Sequence, residues 1–195
     1  MMKFTLANLS LVGVMLFTGW ITPPPSQAEN IADVRRLYET RQCPDCDLIA
    51  ADLANIDLRN ADLQNADLRG TVLIQATLIT ANLFAADMSL ANLSSARLRG
   101  ANLREARLYN ADLSHADLRR VMLNDANLFR ANLRGANLRG ARLRNAFLIG
   151  ANLTGANLEN AQLTNAFIRR ARLEDAILCN TTMPDGTVVN RDCND

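Results

Sequence analysis

Four cysteines, one histidine and two populations of charge are the residues of this 195-residue chain that could do chemistry. Cys43-Pro44-Asp45-Cys46 is a C-x-x-C. That spacing suits a dithiol redox pair of the thioredoxin type or a structural disulfide. Cys179 and Cys193 stand near the other end of the chain. They close a loop for which a disulfide is worth about 3 kcal/mol in the chain-entropy model. His115 is the single histidine and has no Cys or Ser partner suited to nucleophilic catalysis. There is no glycine-rich phosphate loop and no metal-spaced His/Asp set, so no catalytic residue, metal ligand or cofactor is assigned. Asp47, Asp52, Asp57, Asp62, Asp67 and Asp87 crowd the first half, and arginines follow further on.

These groups need something to position them, and the first stretch is not it. Lys3 gives a short positive start, Leu6 to Ile21 is largely apolar, and Pro23-Pro24-Pro25 breaks the run. Ser26-Gln27-Ala28 is a small-x-small site, so residues 1–28 read as a secretory signal peptide. An uncleaved anchor is the other reading, but the run falls short of the ~20 apolar residues of a spanning helix. The mature form is expected to have no integral membrane span. No Cys follows the apolar run, which argues against a lipid anchor there. Removing residues 1–28 removes Lys3 and no acid, so 21 − 20 = +1 becomes 20 − 20 = 0. A neutral exported chain is no nucleic-acid binder by charge. Four Cys, all in the mature part, fit an oxidising compartment.

The positioning element is a five-residue repeat. From Leu48 in steps of five, every residue to Met183 is Leu, Met or Ile: (183 − 48)/5 + 1 = 28 consecutive pentads. Two residues before each stands Ala, with Cys46, Ile56, Thr71, Val121 and Thr181 as exceptions. On an α-helix a step of five turns about 140° and spirals the leucines round every side. On a flat strand it alternates faces. A coil that turns a corner every five residues buries them together, with Leu and Ala inward and three positions outward. Gly70, Gly100, Gly135, Gly140, Gly150 and Gly155 all fall at the corner, where a permissive backbone is expected.

Segments such as Ala51-Asp52-Leu53-Ala54-Asn55, Ala61-Asp62-Leu63-Gln64-Asn65 and Ala131-Asn132-Leu133-Arg134-Gly135 resemble the pentapeptide-repeat family, whose pattern is Ala-(Asp/Asn)-Leu-x-x. The resemblance implies an all-β fold, a right-handed quadrilateral β-helix of four pentads per coil. Twenty-eight pentads then make 28/4 = 7 coils, a rod about 34 Å long at the inter-strand spacing. Lumenal members from cyanobacteria and chloroplasts are similar in their N-terminal Cys-x-x-Cys and in an ending like Cys179-Asn180-Thr181-Thr182-Met183-Pro184-Asp185-Gly186. This implies a thylakoid-lumen or periplasmic protein of a cyanobacterium.

A solenoid needs caps. Ile31, Val34, Leu37 and Tyr38 recur at helical spacing behind Asn30, a candidate N-cap. Residues 30–42 are expected to form a short amphipathic helix over the first coil. Residues 29–45 make the N-terminal cap with its Cys-x-x-Cys, residues 46–183 the β-helix, and residues 184–195 the C-terminal cap, opening on the turn Pro184-Asp185-Gly186. A βαβ context for a redox C-x-x-C is missing, which favours a disulfide that pins the cap. The two Cys pairs at opposite ends of such a rod cannot share a zinc ion, whose Zn–S bonds are about 2.3 Å. The acids fall on different sides, whereas calcium needs convergent oxygens.

Outward residues stack every 20 positions. The side through Leu48 and Leu108 gathers Tyr109, Phe129, Phe147, Ile149 and Phe167, a candidate interface. Aromatic pairing on an ordinary β-surface is the plainer reading. The side through Leu58 and Leu98 carries Arg59, Arg97, Arg99, Arg119 and Arg139, with Arg104, Arg142 and Arg144 on the next. It is either a solvated face or a surface for an anionic partner or membrane. The expected function is an exported, non-catalytic structural or protein-interaction module, with an unknown protein partner or self-association and no nucleic acid. A second reading is a DNA-mimicking inhibitor of a topoisomerase, as some family members are. The leader, the zero mature charge and the Arg-rich side count against it.

Overall fold

The computed structural model describes residues 25–193. The expected leader, residues 1–28, lies outside them as far as residue 24. Helix α1 spans Pro25–Thr40, strand β1 Leu178–Thr182 and strand β2 Val188–Arg191. Between α1 and β1 the chain makes single-residue parallel bridges in strict register. Each bridging residue pairs with the residue 20 positions on, from Gln42↔Asp62 through Asp87↔Arg107 to Gln162↔Thr182. Twenty residues are four pentads, so each coil is four-sided.

One pentad shows why the motif reads as it does. In Ala111–His115, Ala111 N donates to Leu108 O within the corner (3.1 Å), and Asp112 N to Ala91 O of the preceding coil (2.9 Å). Leu113 N donates to Asn132 O (2.7 Å) and His115 N to Arg134 O (2.9 Å), both in the following coil. The fifth amide, Ser114 N, reaches no other coil, and the Asp112 carboxylate accepts it at 2.9 Å. Asp or Asn before the Leu is therefore a turn acceptor for the amide two residues on. The same bond recurs at Asp52, Asp87, Asn92 and Asn152. Stacked side chains also bond along the rod, as Asn102 Nδ2 does to Asn82 Oδ1 (3.0 Å) and Asn132 Nδ2 to Asp112 Oδ1 (3.0 Å).

The interior is the Leu and Ala columns. Leu53 through Leu158 are at most 1 % exposed, and each contributes roughly 1.5–3 kcal/mol of gross burial. Thr71 takes an Ala slot by donating its hydroxyl to Leu68 O, and Thr181 does the same with Leu158 O, each at 2.8 Å.

The corner residue adopts positive φ in pentad after pentad, whatever its type. The expectation of permissive glycine holds at Gly70 and Gly100, yet Thr80 (57°), Leu90 (62°) and Arg120 (57°) turn the same way. Two backbone bonds to the next coil hold each corner, and they outweigh the roughly 1 kcal/mol of left-handed strain. At Gly135 a Cβ would stand 2.7 Å from His115 Nδ1 of the coil before, so any side chain there displaces the imidazole.

At the front, α1 begins at Pro25, where a missing N–H costs nothing. In the uncleaved chain Asn30 is thus inside the helix and not at its start. Leu37 is fully buried and Val34 packs on the core, but Ile31 and Tyr38 are 57 % and 58 % exposed. The coil end is too small to cover a longer stripe: Ile31 lies a turn beyond Val34, and Tyr38 points about 100° away from Leu37. Asp33 Oδ2 accepts Asp47 N at 2.8 Å. In the next coil the corresponding amide, Asp67 N, finds Cys46 O, so Asp33 replaces the carbonyl of a coil that is not there. Disulfides join Cys43 to Cys46 and Cys179 to Cys193.

At the back, the turn at Pro184-Asp185-Gly186 folds β2 antiparallel onto β1, and Val189 packs on the core. Ile168, Ala171 and Leu173 are only half-buried, because no further coil follows on their two sides.

Gly135→Ala is expected to cost more than Gly155→Ala, since no atom lies within 4 Å of a Cβ at Gly155. The difference should be about 1–2 kcal/mol by chemical denaturation. His115→Ala in the Gly135→Ala background should recover the excess and leave the cost common to both corners.

Candidate interaction surfaces

Two of the four sides gather the aromatic residues and the stacked arginines. On the side through Leu108, Leu128 and Leu148, Tyr109 stacks on Phe129 with ring centroids 5.6 Å apart and planes within 10°. Phe147 stacks on Phe167 at 4.8 Å and 7°. The rungs set this register: Asn110 N bonds Phe129 O, and Leu148 N bonds Phe167 O. The five residues expected as one patch thus form two stacks on two columns of one side. Ile149 is half-buried one rung beyond Phe129. Tyr109, Phe147 and Phe167 remain 39 %, 42 % and 50 % exposed.

Two neighbours extend the patch. Leu90 is 64 % exposed at a corner, and its amide bonds Tyr109 O. Arg130 lays its guanidinium 5.1 Å from the Phe129 ring centre, a cation–π contact. Column reading every 20 residues would have found Leu90 one rung before Asn110. It lies on the corner column, beside the outward columns that hold the rings.

Phe147 and Phe167 occupy the slot that Asp or Asn fills in most pentads, though Val72, Met122 and Arg142 stand in it too. Asn127, one rung earlier in that column, accepts Phe129 N at 3.0 Å. Ile149 N and Arg169 N have no side-chain acceptor of this kind among the described residues. A typical hydrogen bond contributes about 1 kcal/mol. Stacking returns roughly 0.5–1.5 kcal/mol to the pair.

The Arg-rich side divides where Ile79 interrupts its column. Arg59 lies before the break, paired with Asp57 at 3.1 Å. Beyond it Arg99, Arg119 and Arg139 stand on successive rungs, with Arg97 beside them. Arg119 bonds Asp117 through Nε (2.7 Å) and Nη2 (2.6 Å), and Arg139 pairs with Glu159 at 2.9 Å. Arg99, Arg119, Arg120, Arg139, Gly140 and Asn160 line a depression of ≈ 520 Å³. Arg120 enters from the corner column, which reading one side at a time passes over. The bond from Arg119 holds the Asp117 carboxyl below its usual range, with smaller help from the Arg119 backbone and the Arg99 charge. Asp67 is lowered in the same way by Arg69.

The remaining chemistry-bearing residues are held in structural contacts. The His115 ring covers Gly135. Asp33 and the Cys43 and Cys46 sulfurs lie within 4.8 Å of one another, but the two sulfurs are bonded to each other and are not thiolate ligands. Arg36 Nη1 lies 3.9 Å from Cys46 Sγ. Among the described residues no helix is long and apolar enough to cross a membrane.

The family model for pentapeptide repeats matches residues 46–83, 86–125, 123–160 and 156–185, with 8 copies. No curated protein matches the chain. Among solved structures, the chain is similar to HetL, a pentapeptide repeat protein involved in heterocyst differentiation regulation from the cyanobacterium Nostoc sp. strain PCC 7120. Identity is 36 % over 76 % of this chain and 74 % of that one, with a TM-score of 0.36. A trypsin-treated variant of QnrB1, a plasmid-mediated fluoroquinolone resistance protein, is 19 % identical over 69 % and 75 %, with a TM-score of 0.53; this likeness is one of fold. A pentapeptide repeat protein from the Arabidopsis thaliana thylakoid lumen is 29 % identical over 70 % and 72 %, with a TM-score of 0.32.

Asp117→Asn keeps the turn acceptor for Arg119 N and removes the ion pair. It should cost about 0.5–1 kcal/mol at neutral pH in thermal melts. The folded carboxyl titrates below its ordinary value of 3.8, so the stabilisation is complete above that value and is lost as pH falls through the lowered one. The melting points of variant and wild type should therefore converge on acidification below 3.8.

Proposed function

This chain belongs to the pentapeptide-repeat family, and from that premise we propose that it is an exported, non-catalytic interaction module. Its contact surface is the side bearing Tyr109, Phe129, Phe147, Ile149 and Phe167. Family members fold as right-handed quadrilateral β-helices, and the 28 pentads at four per coil correspond to seven coils over residues 46–183. In this reading residues 29–45 close the front and residues 184–195 the back; the Cys43–Cys46 disulfide lies within the first coil, whose bridges start at Gln42, and Cys179–Cys193 ties down the C-terminal segment. Residues 1–28 are the leader that carries the chain to a thylakoid lumen or periplasm. Two disulfides in a chain with no free cysteine among the described residues support an oxidising compartment.

The observation that carries the assignment of the surface is the exchange at Phe147 and Phe167. A rung position whose usual occupant caps the backbone is given instead to a half-exposed ring, on two consecutive coils. Aromatic residues are enriched at the centres of protein interfaces. The partner is a protein, either another chain or a second copy of this one. A DNA mimic needs a surface of uncompensated acid. Here Asp57, Asp67 and Asp87 are paired with Arg59, Arg69 and Arg107, and the 20 acids of the sequence are matched by 21 basic residues.

Phe147→Asn with Phe167→Asn restores two turn acceptors and removes one ring stack. Folding stability should change by less than about 1 kcal/mol in either direction, while association is lost. Crosslinking in intact cells, read by mass spectrometry, should place contacts on this side and lose them in the double variant. Contacts confined to the other three sides would overturn the assignment. Sedimentation velocity of wild type against Phe129→Ser plus Phe147→Ser separates self-association from binding to another chain.

A further inference from the structure

We propose that the depression lined by Arg99, Arg119, Arg120, Arg139, Gly140 and Asn160 is a binding site for a multivalent oxyanion, a ligand carrying two or more phosphate or sulfate groups. Its position is fixed by the rungs. Gly100 N bonds Arg119 O, Arg120 N bonds Arg139 O, and Gly140 N bonds Glu159 O. Arg99, Arg119 and Arg139 are therefore directly stacked about 4.8 Å apart. Like charges directly opposite one another on neighbouring strands are destabilising, so three guanidinium groups in line need compensation.

The chain supplies part of it. Asp117 takes Arg119 and Glu159 takes Arg139. Arg99 and Arg120 have no acid within ion-pair distance among the described residues, and both are exposed. Two guanidinium groups are thus oriented by acids while the two beside them carry open charge. Coulomb attraction to the whole protein does not account for a site here, because the formal net charge is only +1 for the full sequence.

The corner column shapes the floor. It reads Thr80, Gly100, Arg120, Gly140, Asn160. Glycine on both rungs next to Arg120 leaves no side chain there, and the Arg120 stem lies 3.5 Å from where a Gly140 Cβ would be. An anion can then approach between the arginines, with the Asn160 amide at the far rim. The planar guanidinium fork matches oxyanion geometry through paired N–H donors. Arg99 and Arg139 are two rungs apart, about 10 Å. A single phosphate does not span that distance, and a ligand with several oxyanion groups does. The lining carries no apolar side chain to hold a hydrophobic ligand.

The test uses the full-length protein and inorganic tripolyphosphate in calorimetric titration at low ionic strength. Saturable one-to-one binding that weakens with added salt is expected. Arg99→Ala with Arg120→Ala should weaken it about tenfold or more, a size typical of losing charge-assisted contacts. Neither side chain holds an ion pair, so the melting point should stay at the wild-type value. Arg104→Ala with Arg144→Ala removes the same charge from the next side and should change affinity less than about twofold, as a distant exposed charge does. Absence of saturable binding, or equal losses in the two double variants, overturns the proposal. Sedimentation with phosphatidylcholine vesicles, with and without phosphatidylglycerol, distinguishes the source. Capture by the anionic vesicles that depends on Arg99 and Arg120 assigns the oxyanions to lipid headgroups. Tripolyphosphate binding without capture assigns them to a soluble ligand.

Discussion

Each pentad has five amide groups, and neighbouring backbone supplies acceptors for four of them. The fifth, just after the buried Leu, faces outward at the corner, and the Asp or Asn two residues earlier receives it. This small bond explains why the motif has a polar residue next to its most buried one. It also locks the corner in the left-handed conformation that lets the chain turn through a right angle. The leucines supply most of the burial energy, but Leu burial alone would be satisfied by many compact shapes. The backbone accounting selects one of them.

The end structures obey the same accounting. Asp33 of the helix accepts the Asp47 amide because no coil precedes it. At the other end β2 pairs with β1 and so satisfies one stretch of the final turn. The disulfides sit where stacking runs out, so covalent links replace the nearest-neighbour interaction that an end coil lacks on one side.

The architecture was legible in the sequence because its cause is periodic. A Leu every fifth residue and a small residue two before it leave no helix or flat strand that buries both. Less legible were features set by the twentieth residue. Ile79 separates Arg59 from the other arginines, and Arg120 joins them from a corner; neither fact is visible within a pentad. Asn30 looked like a cap because it precedes apolar residues at helical spacing, yet in the uncleaved chain the helix starts earlier, at Pro25. Ile31 and Tyr38 matched the helical pattern without being buried, since the coil end accommodates only Leu37 and part of Val34. Leu90 and Thr80 at positive φ were illegible by composition, because tertiary hydrogen bonds override the local preference of those residue types.

The strict pairing of each bridging residue with the one 20 positions on has a consequence for how such a chain can change. Inserting or deleting one coil's worth of sequence lengthens or shortens the rod and leaves every downstream residue on its own side. Inserting a single pentad keeps the interior equally well filled, but it turns everything downstream by a quarter of a revolution. The aromatic stacks and the arginine column would then be divided between different compass directions. Stability therefore tolerates changes in units of five, while a continuous surface along the rod tolerates them only in units of twenty. Two clocks of different period run along one sequence, and the slower one keeps the time for recognition.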